Sequence, residues 1–318
     1  MSGQIDVVIV AFNRFDLTAS CLRHLSAQTV AHRVTVVDNG STDDTRERLR
    51  SDWPLVSVLD LPENRGFAEA CNYGVRSCDH DVVVLLNNDV DCRPDFLQRL
   101  TAPLLADDGV GSVAALMLQP GEHQIDSLGM CADVTLAGFP RLQGLPAARA
   151  TDTAPVLAGP AGTAAAYRRA AWNQVGGLDE AMFAYMEDFD LTLRLRAAGW
   201  RTAAAPDAVG VHLGSATHRH RSAWQRRHSA FGRGYLLRRY GLLRGPRAPR
   251  TLLTEAIVVA GDLVFSHDLV ALRGRLTGWK AARGRARLPR PPADAIDSTI
   301  AFGDSLALRR GIYGRRAA

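Results

Sequence analysis

Several features are scarce or missing in this 318-residue sequence, and each absence excludes a class of protein. No apolar run approaches the roughly 20 residues that a membrane-spanning helix needs. The nearest candidate, residues 252–265, is interrupted by Glu255 and Asp262. The first ten residues lack the basic and apolar segments of a secretory signal. The five cysteines form no CxxC pair, which argues against a zinc site or a disulfide framework and favours a reducing, cytoplasmic setting.

The sequence also lacks a GxGxxG motif and any internal repeat, so neither a dinucleotide site nor a repeat architecture is expected. Its charges are unevenly distributed. Residues 1–218 hold 17 basic and 27 acidic side chains, whereas residues 219–318 hold 21 basic and 6 acidic ones. The basic C-terminal part suits an anionic partner, such as nucleic acid, a phosphorylated acceptor or an anionic membrane surface. The acidic N-terminal part argues against a broad nucleic-acid-binding face.

Apolar runs and amphipathic segments alternate through the first ninety residues, with strands predicted near 5–10, 34–37, 56–59 and 81–86. Helices are predicted between them at 17–28, at 66–76, and after Ser41, which resembles an N-cap. This order predicts an α/β fold with a parallel, doubly wound sheet, which binds ligands beyond the carboxyl ends of its strands. Weaker patterns follow: helices near 96–105, 187–198, 218–240 and 252–285, and strands near 110–118 and 156–159.

An acidic cluster, Asn87-Asn88-Asp89-Val90-Asp91, follows the fourth predicted strand. In an extended chain residues two apart point the same way, so Asp89 and Asp91 would project together. Two such carboxylates suit Mg²⁺ or Mn²⁺, which also bind diphosphate oxygens. Asn and Asp are equally common in solvated turns, so the cluster alone leaves both interpretations open. Its place at the switch point of the sheet favours a metal site.

Other polar residues stand beside predicted strands and helices. Asp38, just past the second strand, can accept a hydrogen bond from the imide N–H of uracil or thymine, although a plain turn would also place it there. Glu187 and Asp188 begin a helix whose dipole favours their ionised forms. An ionised Asp can deprotonate an acceptor hydroxyl, yet acids are routine in the first turn of a helix. His212 follows an apolar run, where a lone histidine is more often structural.

Taken together, these segments resemble the inverting family 2 glycosyltransferases of the GT-A fold, particularly bacterial rhamnosyltransferase-like members. The matching pieces occur in the family's order and lie between residues 5 and 215. They are residues 8–14, 37–43, 64–68, 85–90, and 176–179 running into 187–191.

The resemblance implies a GT-A sheet flanked by helices and a role for each matching position. Asp188 would be the catalytic base, and a divalent metal, Mg²⁺ or Mn²⁺, would bind Asp89, Asp91 and His212. Asn87 replaces the first acid of the family's DXD-type motif, which shifts metal binding onto Asp89 and Asp91. The donor pocket would be lined by Phe12, Asn13, Asp38, Asn64, Arg65 and Asn88.

The resulting hypothesis is a GT-A domain over residues 1–245, with its donor half at about 1–95 and its acceptor half at about 96–245. A helical appendage over 250–288 and a poorly ordered tail over 289–318 would follow. The enzyme would transfer a sugar with inversion from a nucleoside-diphosphate sugar, first dTDP-L-rhamnose and otherwise a UDP-sugar, to a sugar or lipid-linked glycan. Such a reaction belongs to bacterial cell-surface polysaccharide or glycoconjugate synthesis.

Two alternatives stay open, a sugar-1-phosphate nucleotidyltransferase and a non-catalytic nucleotide-sugar-binding protein. The acceptor is expected to contact Glu187, Arg226 and Arg227. The basic segment around these arginines either meets a lipid diphosphate at the inner face of the membrane or is a helix packed on the core with a solvated basic face. Its other members would be Arg233, Arg238 and Arg239, with Trp224, Tyr235, Leu236 and Leu237 as apolar contacts.

Overall fold

A computed structural model describes residues 5–214 and 222–312. Within them the chain forms a nine-stranded sheet, a two-stranded antiparallel sheet and ten α-helices. The strands are β1 (Ile5–Ala11), β2 (His32–Asn39), β3 (Ser57–Leu61), β4 (Val82–Asn87), β5 (Val90–Cys92), β6 (Val110–Leu118), β7 (Ile125–Leu128), β8 (Met130–Ala132), β9 (Gly138–Pro140), β10 (Ala164–Arg168) and β11 (Arg201–His212). The helices are α1 (Phe15–Ser26), α2 (Thr45–Asp52), α3 (Phe67–Arg76), α4 (Phe96–Ala106), α5 (Arg169–Val175), α6 (Glu187–Ala197), α7 (Ala223–Arg239), α8 (Ala248–Ser266), α9 (Val270–Ala281) and α10 (Phe302–Arg309).

The order of the large sheet is β3-β2-β1-β4-β10-β6-β11-β5, and β7 joins β6. The first four strands are parallel, as predicted, with the switch point between β1 and β4. The later half is mixed, because β10 runs antiparallel to both neighbours and β5 runs antiparallel to β11. Ala11 pairs with Asp38, and Val10 pairs with Asn87. The polar segments after β2 and β4 therefore emerge on either side of the end of β1.

The central strands are apolar on both faces because helices cover both faces of the sheet. Ile9 and Leu86 pack in one core cluster with residues of α1 and α4. Val8 and Leu85 pack in a second cluster with residues of α3 and α5. This packing holds the carboxyl edge of the sheet as a rigid base for the loops that follow β1, β2 and β4.

Two local predictions were wrong. No strand forms over residues 156–159, where only one isolated bridge joins Met130 and Gly159. Pro155 and Pro160 flank that run, and neither can donate a ladder hydrogen bond. Ser41 does not cap a helix, since α2 begins at Thr45 and Asp44 is its N-cap.

The C-terminal helices pack on the rest of the chain through a buried ionic cluster. Glu255 of α8 accepts hydrogen bonds from Arg233 at 2.8 Å, from Arg275 at 3.0 Å and from Arg309 at 3.0 Å. α9 crosses α7 closely, because a Cβ atom at Gly278 would collide with the Phe231 carbonyl. Backbone contact of this kind needs a residue without a side chain.

The segment after residue 289 differs from the expected poorly ordered tail. Its described part, up to residue 312, contains α10, and the Ser305 hydroxyl donates to the buried Asp133 carboxylate at 2.5 Å. Ile300 is also buried. These contacts order the segment through partners more than 160 residues earlier in the chain. The division into domains at residue 245 stays a prediction.

Candidate active site

The loops after β1 and β2 are joined by side chains predicted for the donor pocket. The Asn13 N–H donates to Ser41 Oγ at 2.8 Å, and Asn13 Oδ1 accepts from the Thr42 N–H at 2.8 Å. Asn13 and Arg14 both have positive φ angles, 56° and 58°, which few non-glycine residues adopt. Asn13 therefore shapes the rim of the pocket, and Phe12 lies half-buried beside it. The hydrogen bond that Ser41 Oγ accepts from the Asn13 N–H also explains why Ser41 is not a helix cap.

Asp38 is fully buried at the end of β2, and its carboxylate is already paired. Arg46 of α2 donates from Nε to Asp38 Oδ2 at 2.8 Å, and the Ser41 N–H donates to Oδ1 at 3.3 Å. Arg46 was not predicted, because its only signal in the sequence is its place in the first turn of α2. A contact between Asp38 and a donor base stays a prediction, and any such contact would share the carboxylate with Arg46.

The loop after β3 is organised by two asparagines. Asn64 Oδ1 accepts from Asn39 Nδ2 at 3.1 Å and from the Gly66 N–H at 2.9 Å. Asn39 Oδ1 in turn accepts from the Arg65 N–H at 2.9 Å. The Arg65 side chain is exposed and lies 3.3 Å from Glu63. Asn64 thus fixes the conformation of the loop through its hydrogen bonds, whereas the Arg65 side chain extends outward.

Asp89 and His212 lie side by side, although 123 positions separate them in the sequence. Asp89 Oδ1 is buried, has no hydrogen-bond partner within the described residues, and lies 3.5 Å from His212 Nε2. The other ring nitrogen, Nδ1, is 2.9 Å from Asp126 Oδ2 on β7. Burial lowers the pKa of His212, but the Asp126 and Asp89 carboxylates outweigh it and raise the pKa to about 10. Asp126 carries no motif, so the sequence analysis missed it.

The expected convergence of Asp89 and Asp91 is not found. Asn88 and Asp89 form a turn, so the extended geometry that would align the two carboxylates is lost. Asp91 Oδ1 instead accepts from Ser20 Oγ at 3.0 Å and lies 3.6 Å from His24 Nε2, both on α1. No group of three or more His, Cys, Asp or Glu residues suited to a metal occurs in the described ranges. Asn88, predicted for the donor pocket, donates from Nδ2 to an α1 hydroxyl at 3.0 Å.

The acidic pair that begins α6 has two distinct environments. Asp188 accepts from the Gly162 N–H at 2.8 Å and from the Phe189 N–H at 2.7 Å. Burial raises the pKa of Asp188, and these backbone donors oppose that rise. Glu187 is more buried, and burial and the Asp188 charge raise its pKa well above the usual range. The backbone donors therefore make Asp188 the member of the pair better suited to carry the negative charge.

A short backbone bridge connects this pair to the acidic cluster after β4. Gly162 donates to Asp188, and the carbonyl of the next residue, Thr163, accepts from the Asn87 N–H at 2.9 Å. Asp188 and the segment leading to Asp89 are thus both hydrogen-bonded to the short backbone segment Gly162–Thr163. That Asp188 and Asp89 serve one site stays a prediction.

Comparison with known proteins agrees with this geometry. Residues 6–176 match the family model described as Glycosyl transferase family 2, and residues 143–281 match Glycosyl transferase family group 2. The chain belongs to glycosyl transferase family 2. It is therefore a transferase enzyme, which sets aside the nucleotidyltransferase and the non-catalytic alternatives.

Two curated relatives and two solved structures illustrate the likeness of this family 2 glycosyltransferase. An N-acetylglucosaminyl-diphospho-decaprenol L-rhamnosyltransferase of Mycobacterium tuberculosis is 31% identical over 67% of this chain and 76% of the relative. An amylovoran biosynthesis glycosyltransferase of Erwinia amylovora is 25% identical over 64% of this chain and 73% of the relative. A mannosyltransferase of Pyrobaculum calidifontis, solved with GDP-Man and Mn²⁺, has a TM-score of 0.53 at 21% identity and covers 98% of this chain and 83% of its own. GalNAc-T7, solved with UDP, GalNAc and Mn²⁺, has a TM-score of 0.55 at 14% identity, over 83% of this chain and 58% of the GalNAc-T7 chain. Both structural similarities show the GT-A fold.

An aromatic cluster of the glycosyltransferase, which the sequence analysis did not identify, lies beside the acidic pair. The ring centroid of Trp224 is 4.1 Å from that of His228, 5.8 Å from that of Tyr185 and 6.3 Å from that of Phe183. The Phe183 carbonyl accepts from the Phe67 N–H at 2.7 Å, so the cluster adjoins the loop after β3. The cluster therefore joins the first turns of α7 to the segment before α6 and to the start of α3.

Most of the basic segment of the glycosyltransferase does not face outward. Arg226 forms an ion pair with Asp268, and Arg233 is buried against Glu255. Arg227 is exposed. The expected membrane contacts at Tyr235, Leu236 and Leu237 are buried in the core because α9 covers that side of α7. Residues 215–221, which include the start of the helix predicted over 218–240, lie outside the described residues.

Proposed function

We propose that this enzyme transfers a sugar from a nucleoside-diphosphate sugar to a hydroxyl of a lipid-linked glycan, with inversion at the anomeric carbon. The observation that carries the proposal is Asp188, whose carboxylate accepts hydrogen bonds from two backbone N–H groups and is joined through Gly162–Thr163 to the acidic segment after β4. The named substrate of the mycobacterial relative supports a lipid-linked acceptor. dTDP-L-rhamnose is the first donor proposed, and a UDP-sugar is the second.

Asp89 and His212 fit a divalent cation, Mg²⁺ or Mn²⁺. The buried Asp89 carboxylate and the His212 Nε2 that lies 3.5 Å from its Oδ1 are the ligand types that Mn²⁺ accepts. Asp126 holds Nδ1 of the same ring, which leaves Nε2 for a metal. When bound, the cation would neutralise charge on the nucleoside-diphosphate leaving group. Asp91 is not part of this set, since its partners lie on α1.

The proposed reaction uses the acidic pair as a single base. Asp188 takes the proton of the acceptor hydroxyl as that oxygen forms a bond to the anomeric carbon. The bond from the same carbon to the diphosphate oxygen breaks on the opposite face, which inverts the centre. Glu187 keeps its proton and so does not compete as the base.

The aromatic cluster is the proposed acceptor subsite. Two of its residues, Phe183 and Tyr185, lie within five positions of Asp188 in the sequence, and the Phe183 carbonyl accepts from the Phe67 N–H after the β3 loop. Aromatic side chains lining a cleft bind the apolar faces of ligands and orient their polar groups. Arg226 is paired with Asp268 and is therefore unsuited to binding an acceptor phosphate. The aromatic rings replace it as the proposed acceptor contact.

The test is the variant Asp188→Asn, with release of nucleoside diphosphate measured in Mn²⁺ over a panel of donors. Turnover should fall by roughly 10²–10⁴-fold, because a positioned base contributes about that much. The Kd for the donor should stay unchanged, and an exposed control, Asp95→Asn, should behave as the wild type. Near-normal turnover of Asp188→Asn would reject the assignment.

A further inference from the structure

Helix α8 exposes an apolar face that no other element covers among the described residues. Six of its residues lie within one third of the helical circumference and point to solvent: Leu252, Leu253, Ala256, Ala260, Leu263 and Val264. Val264 is 61% exposed, and the adjoining Phe265 is 73% exposed. The stripe runs about 18 Å along the helix, at 1.5 Å per residue. Exposed apolar patches of such extent mark interaction surfaces.

The two acidic residues of α8 face the opposite way. Glu255 lies inside the cluster of Arg233, Arg275 and Arg309, and Asp262 is 3.6 Å from Arg275. A surface helix of a globular protein normally has the reverse arrangement, with its charges outward. The buried ionic contacts determine the rotation of the helix, since turning the apolar face inward would strip Glu255 of its partners. The outward apolar face is therefore built into the packing.

Exposed arginines on or next to the elements that pack with α8 form what we term its basic border. Arg273 of α9 and Arg227 of α7 are exposed, and the Arg227 carbonyl lies 2.6 Å from where a Cβ atom at Gly274 would be. The two arginines thus belong to adjoining turns of packed helices. On another side the exposed Arg310 places its guanidinium 5.7 Å from the centre of the Phe265 ring. An apolar stripe with a basic border is complementary to an anionic lipid surface.

The stripe ends near the proposed acceptor subsite. The turn after α8 carries Asp268, which is paired with Arg226 of α7. Trp224, two residues earlier on α7, belongs to the aromatic cluster. The most exposed apolar residues, Val264 and Phe265, therefore lie at the same end of α7 as that cluster.

We propose that the outer face of α8 lies in the headgroup region of an anionic bilayer, with Leu263, Val264 and Phe265 inserted and the bordering arginines on lipid phosphates. No helix within residues 5–214 and 222–312 is long and apolar enough to cross a membrane, so the contact is interfacial. This surface rests on the proposed function in one respect, since it presents a lipid-linked acceptor to the aromatic cluster. The exposure of the apolar face of α8 does not depend on the proposed reaction.

The test is flotation of the full chain with vesicles of phosphatidylcholine alone and of phosphatidylcholine mixed with phosphatidylglycerol. The wild type should bind the mixed vesicles more tightly, and added salt should weaken the binding. The triple variant Leu263→Gln, Val264→Gln, Phe265→Gln should bind roughly a hundredfold less, because each inserted apolar side chain contributes severalfold or more. Leu105→Gln, at a 60% exposed leucine of α4, is the matched control and should bind as the wild type does.

A second pair of changes tests the basic border. Arg227→Gln with Arg273→Gln should reduce binding to the mixed vesicles and flatten its salt dependence. Wild-type binding by the triple variant, or no binding of either vesicle by the wild type, would overturn the proposal. So would a stable dimer that the triple variant dissociates, because a second copy would then cover the face. Asp188→Asn should bind vesicles normally, so a failure of the reaction and a failure of the surface are distinguishable.

Discussion

The two ends of this glycosyltransferase use charge in opposite ways. Residues 1–218 carry a net charge of −10. The acids proposed for the active site stand at the ends of strands or at the start of a helix. Residues 219–318 carry +15, yet several of their arginines converge on the buried Glu255, while the outer face of α8 is apolar. Net charge along a segment thus does not tell which way its charged groups point. In the C-terminal part a share of them stabilises packing and determines which face remains outside.

Among the changes considered, Glu255→Gln should destabilise the C-terminal part most severely. Arg233, Arg275 and Arg309 would then be packed together without a counter-charge, and removal of one partner from a buried ionic cluster costs about 3–5 kcal/mol. Urea unfolding measures the loss. The exposed control Glu122→Gln should cost about 0–1 kcal/mol. Equal losses in both variants would show that the cluster does not hold the C-terminal helices.

Acid should weaken the same cluster. Burial raises the pKa of Glu255, but Arg233, Arg309 and Arg275 outweigh it, and the pKa falls to about 2. Because this folded pKa lies below the unfolded value of about 4.3, the stabilisation is complete above that pH and is lost as pH falls toward 2. The contribution is roughly 3 kcal/mol. The free energy of unfolding, followed downward from about pH 5, should fall less steeply in Glu255→Gln, and an identical slope would contradict the assignment.

A smaller break is expected where α7 and α9 cross. Gly278→Ala adds a Cβ atom against the Phe231 carbonyl, and overpacking of this kind costs about 1–3 kcal/mol. Thermal unfolding compares it with Gly303→Ala on α10, where nothing lies within 4 Å of the added atom. The control should be neutral or slightly stabilising, since alanine favours a helix. A drop in Tm for Gly303→Ala alone would refute the close crossing.

Asp126→Asn tests the acidic N-terminal part, where a lost carboxylate should change metal binding more than stability. The amide no longer holds His212 Nδ1 as the carboxylate does, and loss of such a partner lowers metal affinity by about 10–100-fold. Titration with Mn²⁺ in the presence of a nucleoside diphosphate measures the effect. Asp95→Asn serves again as the exposed control. Unchanged Mn²⁺ affinity would remove Asp126 from the site.

Prediction from sequence succeeded where the signal is local. The first four strands alternate with helices whose apolar spacing covers about three turns each, and that pattern does not depend on distant residues. Asp38 and the acidic cluster were proposed as site residues because they stand at the ends of buried strands. Predictions that relied on local geometry alone failed where loops meet. Ser41 was assigned to its own helix but binds Asn13, and Asp91 was assigned to Asp89 but binds α1.

By itself, the sequence determined the order of the first four strands and the helices between them, the family, and which acids stand at the carboxyl edge of the sheet. Only the tertiary structure decided that Asp126 meets His212 across 86 positions and that Arg46 holds Asp38. It also decided that the apolar face of α8 remains outside. Periodicity reveals that a helix has an apolar side, but whether that side is covered depends on long-range contacts. Here the ionic contacts of Glu255 turn it outward.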